Sequence, residues 1–145
     1  MKKMFAVLLA LCMALTCLTM ASAEEKMYHV GILQLVQHEA LDAATKGFRD
    51  ALTEKLGDKV VFDEQNASGD TASCAMIANG FVAAEVDLIM ANATPALQAA
   101  VSATADIPIL GTSITDYATA LGMKEWNGTT GAAVLSLIHI SEPTR

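Results

Sequence analysis

The stretch VDLIMANATP, residues 86–95, predicts the fold class of the chain. Its first six residues, 86–91, are apolar enough to form a strand that is buried on both faces, as strands of parallel sheets are. In the second half Thr94 can cap a helix and Pro95 can take the first helical position, so we expect a helix that continues to Ala103. A buried strand that leads directly into a helix is typical of α/β proteins.

Strand and helix patterns alternate on both sides of this stretch. The other predicted strands cover 28–35, 59–64 and 107–111, and the other predicted helices cover 39–56, about 71–85 and 117–121. Parallel neighbours in a sheet must be joined by a crossing segment, which is usually a helix. The alternation therefore predicts a doubly wound, Rossmann-like parallel sheet of four strands.

Two of the predicted helices carry explicit boundary signals. Gly57 stops the first helix, and Asp70 can cap the second. The apolar spacing in the second helix predicts a core face made of Ala75, Ile77, Ala78, Phe81 and Val82.

The N-terminal segment has the pattern of a secretory signal peptide. Lys2 and Lys3 precede the apolar run 4–15, and the residues Ala21-Ser22-Ala23 form a small-residue cleavage site. We expect residues 1–23 to be removed. The mature protein is then exported, to the periplasm or the outer face of the cytoplasmic membrane.

Two other interpretations of this segment would keep the chain at the membrane. A membrane-spanning helix needs about 18 apolar residues without interruption, and Thr16 and Thr19 arrive too soon. A lipoprotein would carry its lipid on Cys17, but Thr16 is a poor residue before a lipidated cysteine. The sequence therefore favours cleavage after Ala23.

Composition narrows the chemistry of the mature chain. Cleavage removes Cys12 and Cys17 and leaves Cys74, so no internal disulfide can form, and we expect Cys74 to be a small buried hydrophobe. From Glu24 onward there are seven basic and sixteen acidic residues, a net charge of −9. This acidity makes nucleic acid an unsuitable partner.

Several catalytic and cofactor-binding patterns are absent from the sequence. The first strand is followed by no glycine-rich phosphate loop, and Ser113 lacks the G-x-S-x-G context of a hydrolase nucleophile. His29 and His38 have no metal-ligand spacing around them, so we expect surface or capping roles for both. We therefore predict no cofactor, no metal and no enzymatic activity.

Ligands of doubly wound sheets collect at the carboxyl ends of the strands. In this chain those ends carry five candidate ligand-binding residues: Gln34, Thr94, Pro95, Ser113 and Asp116. N–H groups at the start of a helix carry partial positive charge, so the Thr94–Pro95 turn suits a carboxylate such as that of a free amino acid. Asp116 could pair with an α-amino group or cap the next helical turn, and the sequence supports both interpretations equally.

The last eleven residues, LSLIHISEPTR at 135–145, differ in character from the sequence before them. They resemble the in-frame translation of a transposon sequencing adapter. We therefore expect 24–134 to be an incomplete N-terminal lobe and 135–145 to be a non-native tail, in which His139 belongs to no site. The alternative is a genuine strand followed by a polar terminus.

Three groups of residues together resemble one protein family. They are VGILQLVQH at 30–38 with Leu41-Asp42-Ala43, ATPA at 93–96 with Gln98, and IPI at 107–109 with Thr115-Asp116. In this order and spacing they resemble the ABC-transporter solute-binding family that includes tryptophan- and phenylalanine-type amino-acid binders. The resemblance covers residues 28 to about 131. The chain departs from it in carrying Tyr117 and Ala118 where relatives commonly have a proline.

The resemblance implies a type I periplasmic-binding fold, in which two α/β lobes close on a small solute and deliver it to a membrane permease. It places the solute at the loops of Gln34, Thr94 and Ser113. Because the solute lies between two lobes, one lobe is expected to hold half a site. Two alternatives stay open: an exported α/β enzyme that uses Ser113 and Asp116, and a sensor that presents its solute to a membrane receptor.

Overall fold

A computed structural model of the chain describes residues 26–124 and the backbone of a short strand at 134–136. The predicted signal peptide and residues 137–145 of the predicted tail lie outside the described residues. Cleavage after Ala23 and lipid attachment to Cys17 stay predictions.

The fold is a parallel sheet with helices on both faces. The strands are β1 (Tyr28–Gln34), β2 (Val60–Asn66), β3 (Leu88–Asn92), β4 (Ile109–Thr112) and β5 (Val134–Ser136). The helices are α1 (Glu39–Leu56), α2 (Thr71–Ala83), α3 (Thr94–Ala103) and α4 (Tyr117–Ala120), with a 3-10 turn at Gly57–Lys59.

All the described strand pairs are parallel, and the strand order is β2-β1-β3-β4-β5. This confirms the predicted doubly wound α/β fold. The chain winds outward in one direction from β1 to β2 and in the other from β3 to β5, so the topological switch point lies between β1 and β3. The fifth strand begins at Val134 and extends into the predicted tail, where a genuine strand was the alternative interpretation.

Local signals explain where the first two helices begin and end. The predicted bounds of α1 are confirmed: His38 Nδ1 accepts a hydrogen bond from the Ala40 N–H, and Gly57 follows the last helical residue at φ 57°. Asp70 caps α2 as predicted, by accepting from the Ala72 and Ser73 N–H groups. The helix stops earlier than expected because Glu85 adopts a left-handed backbone at φ 52°.

The two faces of the sheet have separate hydrophobic clusters. One lies under α1 and consists of Val30, Ile32, Phe48, Met90 and Leu110. The larger one lies under α2 and α3 and includes Leu33, Cys74, Ala78, Phe81, Ile89, Leu97, Ile109 and Tyr117.

The core face of α2 differs from the prediction by one position. Cys74, Ala78 and Phe81 are its buried residues, whereas Ala75 faces solvent. Burial also raises the pKa of the Cys74 thiol, so the expectation of a small buried hydrophobe is confirmed for this residue.

Two glycines allow aromatic rings to approach the strands. A Cβ at Gly31 would lie 2.7 Å from the Phe81 ring, and one at Gly111 would lie 2.9 Å from the Tyr117 hydroxyl oxygen. That hydroxyl donates to the Gly111 carbonyl oxygen at 2.7 Å. Tyr117 thereby fixes the start of α4 against β4.

Candidate ligand site at the carboxyl edge of the sheet

The last residues of the three neighbouring strands lie in one row. Gln34 of β1 is in register with Asn92 of β3, and Asn92 is in register with Thr112 of β4. The row continues into the loops, because the Leu35 N–H donates to the Asn92 carbonyl oxygen at 3.2 Å and the Ala93 N–H donates to the Thr112 carbonyl oxygen at 3.0 Å. The loops that follow these residues form one edge, which we call the rim.

Gln34 lies below the rim, with its side chain 4% exposed. Its Nε2 donates to Asp42 Oδ1 at 2.6 Å and to the Val36 carbonyl oxygen at 3.0 Å, and its Oε1 accepts from Thr45 Oγ1 at 2.7 Å. Both polar atoms of the Gln34 amide therefore already have hydrogen-bond partners within the protein. Gln34 faces α1, as Val30 and Ile32 of the same strand do, and its role as a solute contact stays a prediction.

Asn92 is fully buried beside Gln34 and also faces α1. Its Nδ2 donates to the Leu41 carbonyl oxygen at 2.8 Å and to Thr45 Oγ1 at 3.0 Å. The Leu41 carbonyl can only accept, so it fixes which end of the amide points at the helix. Asn92 Oδ1 has no hydrogen-bond partner among the described residues.

The turn between β3 and α3 is strained and uncapped. Ala93 has φ 92° and ψ 157°, a region that is almost reserved for glycine and costs about 1–3 kcal/mol for other residues. Ala93 is the N-cap position and makes no side-chain capping bond. The sequence prediction was wrong here: Thr94 is the first helical residue, not the cap, and Pro95 is the second.

The first N–H groups of a helix have no partner within it. In α3 these donors belong to Thr94 and Ala96, because Pro95 has no N–H and the Leu97 N–H bonds to the Ala93 carbonyl oxygen at 3.1 Å. Thr94 and Pro95 are half-buried at the surface of the rim. Ala96 is fully buried, so the Thr94 N–H and the positive end of the helix dipole are what the start of α3 offers at this point of the rim.

The loop after β4 forms the neighbouring part of the rim. Ser113 is exposed and has a left-handed backbone at φ 57°. Asp116 caps α4 by accepting from the Ala118 N–H at 3.0 Å, and it also accepts from Thr119 Oγ1 at 2.6 Å. These bonds from Thr119 and the backbone lower the pKa of Asp116, which stays an exposed carboxylate. The structure thus shows its capping role, and an additional role in solute binding stays a prediction.

The rim can therefore supply two opposite kinds of polar partner. The start of α3 offers an N–H donor to an anionic group, and Asp116 offers a carboxylate to a cationic group. The described residues contain no group of three or more His, Cys, Asp or Glu side chains placed to hold a metal ion. The arrangement suits recognition of a small zwitterion.

Sequence reasoning missed the residues that support the rim: Asn92, Asp42, Thr45 and Ala93. One of them had a visible signal. Thr45 stands in the apolar stripe of α1 between Leu41 and Phe48, so a polar side chain there predicts a buried hydrogen bond. Ala93 had none, because its backbone conformation is set by the strand that precedes it.

The chain matches the family model described as ABC transporter substrate binding protein over residues 29–135. It is also 47% identical, over 95 residues, to a tyrosine-binding protein of Clostridioides difficile strain R20291. That match covers 63% of this chain and 28% of the relative.

Solved structures of similar proteins agree with this family match. A ligand-free, open substrate binding protein with adhesive properties from Clostridium difficile matches with a TM-score of 0.70 and 40% identity, over 76% of this chain and 38% of that one. The ABC domain in complex with L-Trp from Streptococcus pneumonia matches with a TM-score of 0.69 and 35% identity, over 77% and 38%. The chain thus spans less than two fifths of these relatives.

No helix among residues 26–124 has the length and apolar character needed to cross a membrane. The fold is that of a lobe of a type I periplasmic binding protein. The family match spans most of the chain, and the sheet order and the similar structures agree with it. The chain belongs to the ABC transporter substrate binding protein family.

Proposed function

We propose that this chain is the N-terminal lobe of the exported solute-binding component of an ABC importer, and that its solute is an amino acid. The observation that carries the proposal is the uncapped start of α3 at the switch point of the sheet. Ligands of doubly wound sheets bind in the crevice outside the carboxyl ends of the strands at this point. The polar groups available there match the two ends of a free amino acid.

The carboxylate of the solute binds at the start of α3. The Thr94 N–H group is the donor, and the helix dipole adds favourable electrostatic energy. The exposed Ser113 hydroxyl lies on the next strand end and is a further donor within the rim. These donors are uncharged, so they bind the anion without a buried cation.

The amino group of the solute pairs with Asp116. Its low pKa keeps the carboxylate charged at neutral pH, and its capping bonds hold it in place at the start of α4. An aromatic side chain is supported by the relatives, one of which is named a tyrosine-binding protein and another of which was solved with L-Trp. The side chain of the solute then lies toward the second lobe.

Capture is completed by closure of two lobes, because binding proteins of this fold bury the solute between them. The protein then presents the solute to a membrane permease outside the cytoplasm. No covalent bond is made or broken in this scheme. Ser113 therefore acts as a hydrogen-bond donor, not as a nucleophile.

Isothermal titration of the full-length protein with a panel of aromatic and branched amino acids tests the proposal. We expect saturable binding of at least one aromatic amino acid, and recovery of that amino acid unchanged by mass spectrometry. Silence across amino acids, nucleosides and sugars would reject solute binding. Recovery of a chemically altered ligand would favour the alternative function, an exported α/β enzyme.

A matched pair of variants tests the role of Asp116. Asp116→Asn keeps a capping side chain but removes the charge, so binding of the amino acid should weaken about ten-fold. Asp106→Asn makes the same change at an exposed residue before β4, at the opposite edge of the sheet, and should bind as the wild type does. If both variants bind equally well, Asp116 does not take part in binding the solute.

A further inference from the structure

The Thr45 hydroxyl group of α1 forms hydrogen bonds with residues at the ends of two strands beside the switch point. Thr45 Oγ1 donates to Gln34 Oε1 at 2.7 Å and accepts from Asn92 Nδ2 at 3.0 Å. Gln34 ends β1 and Asn92 ends β3, and the two residues are in register. Thr45 itself is 3% exposed, so these bonds are made away from solvent.

The last strand residue in these hydrogen bonds, Asn92, directly precedes the strained turn. Ala93, at φ 92°, follows Asn92 directly, and its carbonyl oxygen accepts the first bond of α3 from the Leu97 N–H. Backbone in such a region persists only where the surrounding structure over-determines it. On one side of Ala93 the constraint is α3, and on the other it is the hydrogen-bond network of Asn92.

We propose that Thr45 is a positioning residue of the solute site. Through Gln34 and Asn92 it holds the β3–α3 turn in the strained conformation that presents the Thr94 N–H and the start of α3 at the rim. The inference rests on the proposed function, and it adds a buried residue that determines the geometry of the site without touching the solute. Removing the hydroxyl lets the turn relax and misplaces the donor.

The test uses the full-length protein and the tightest-binding amino acid of the titration panel. Thr45→Val keeps the shape of the side chain and removes both bonds, so its dissociation constant should rise about five-fold. Thr45→Ser retains the hydroxyl and should restore binding to within about two-fold. Thr53→Val makes the identical change at an exposed position two turns along α1 and should have no effect.

A merely structural role for Thr45 predicts a different result in a second background. Glycine adopts the conformation of residue 93 without strain, so Ala93→Gly removes the tendency of the turn to relax. If Thr45 acts by holding the turn, Thr45→Val should weaken binding less than about two-fold when Ala93→Gly is present. An unchanged five-fold loss in that background would overturn the proposal.

Hydrogen exchange tests the same inference without a solute. Thr45→Val should speed exchange of the Ala93 and Leu35 amides, which bond to Thr112 and Asn92, and should leave the Ile89 amide in mid-sheet unchanged. Unchanged exchange at Ala93 would refute the positioning role even if the protein binds amino acids. If no amino acid binds, the proposed function fails, and exchange still decides the role of Thr45.

A milder variant covers the case in which Thr45→Val does not fold. Asp42 is exposed and accepts one bond of the network, from Gln34 Nε2. Asp42→Ala therefore loosens Gln34 without opening the core. It should speed exchange of the Leu35 amide, and exchange at the wild-type rate would count against the network as a constraint on the rim.

Discussion

Two strand-to-helix turns, β2–α2 and β3–α3, begin in the same way and end differently. Each starts with the asparagine that closes its strand, Asn66 or Asn92, and both asparagines are in register with Gln34. In the first turn the asparagine is exposed, its Oδ1 accepts from the Ser68 N–H, and a glycine takes the positive φ of 82°. In the second turn the asparagine is buried and an alanine takes a φ of 92°.

The helix starts differ as well. Asp70 caps α2, and capping side chains also stand before α1 and α4, whereas α3 begins without one. Both turns contain a non-glycine residue at positive φ, Ser68 at 54° and Ala93 at 92°. The β2–α2 turn also has Gly69 and a capping side chain, whereas the β3–α3 turn has neither a glycine nor a capping side chain. Such departures cluster at functional sites, where local cost is offset by the surrounding structure. The comparison supports the proposal that the β3–α3 turn is the part of the rim that binds a ligand.

The largest expected difference between the two turns comes from the same substitution at both asparagines. Asn92→Asp places a buried carboxylate against the Leu41 carbonyl oxygen, which should lower the free energy of unfolding by about 3 kcal/mol. Asn66→Asp keeps an acceptor for the Ser68 N–H at an exposed position, so its effect should stay within about 0.5 kcal/mol. Urea unfolding of both variants measures the difference, and equal losses would contradict it.

Smaller changes in stability, of opposite sign to each other, are expected from substitutions at Ala93 and Gly69, which both have positive φ. Ala93→Gly relieves strain and should stabilise the fold by about 1 kcal/mol, whereas Gly69→Ala introduces strain and should destabilise it by about 1 kcal/mol. A Cβ at Gly69 meets nothing within 4 Å, so its cost is purely one of backbone conformation. If thermal melts show that both substitutions shift the melting temperature in the same direction, the proposed difference between the two turns is wrong.

The smallest effect concerns the charge of the cap at the β2–α2 turn. Hydrogen bonds from the Ser73 hydroxyl and from the Ser73 and Ala72 N–H groups lower the pKa of Asp70 below its ordinary value of 3.8. Its contribution to stability is therefore present above pH 3.8 and is lost as the pH falls through the folded-state pKa. Asp70→Asn should reduce the melting temperature slightly at neutral pH, and the difference from the wild type should shrink in acid. A difference that grows in acid would be the wrong sign.

Most of the fold could be predicted from sequence because its signals are local. The bounds of α1 and the cap of α2 depend on neighbouring residues such as His38, Gly57 and Asp70, and these predictions are confirmed. The β5 strand was only the alternative interpretation of its segment, because a strand of three residues has too few positions for a periodic pattern. It forms through pairing with β4, which no local pattern encodes.

The candidate site was predicted less well, since its geometry depends on tertiary contacts. Thr94 has the residue type of a cap, but Ala93 takes the N-cap position after the end of β3, so Thr94 is already helical. Gln34 stands at the correct end of β1, yet it shares the α1-facing side with Val30 and Ile32. The alternation of β1 could have shown this, because residues two apart on a strand face the same way.

The most direct test of this account compares the tightest-binding amino acid with its carboxamide, by titration of the full-length protein. The carboxamide keeps the amino group and the side chain but carries no negative charge. If the start of α3 holds the carboxylate, the carboxamide should bind at least about ten-fold more weakly. Equal affinity for the two compounds would contradict the central claim that the uncapped helix start at the switch point is the anion-binding part of the site.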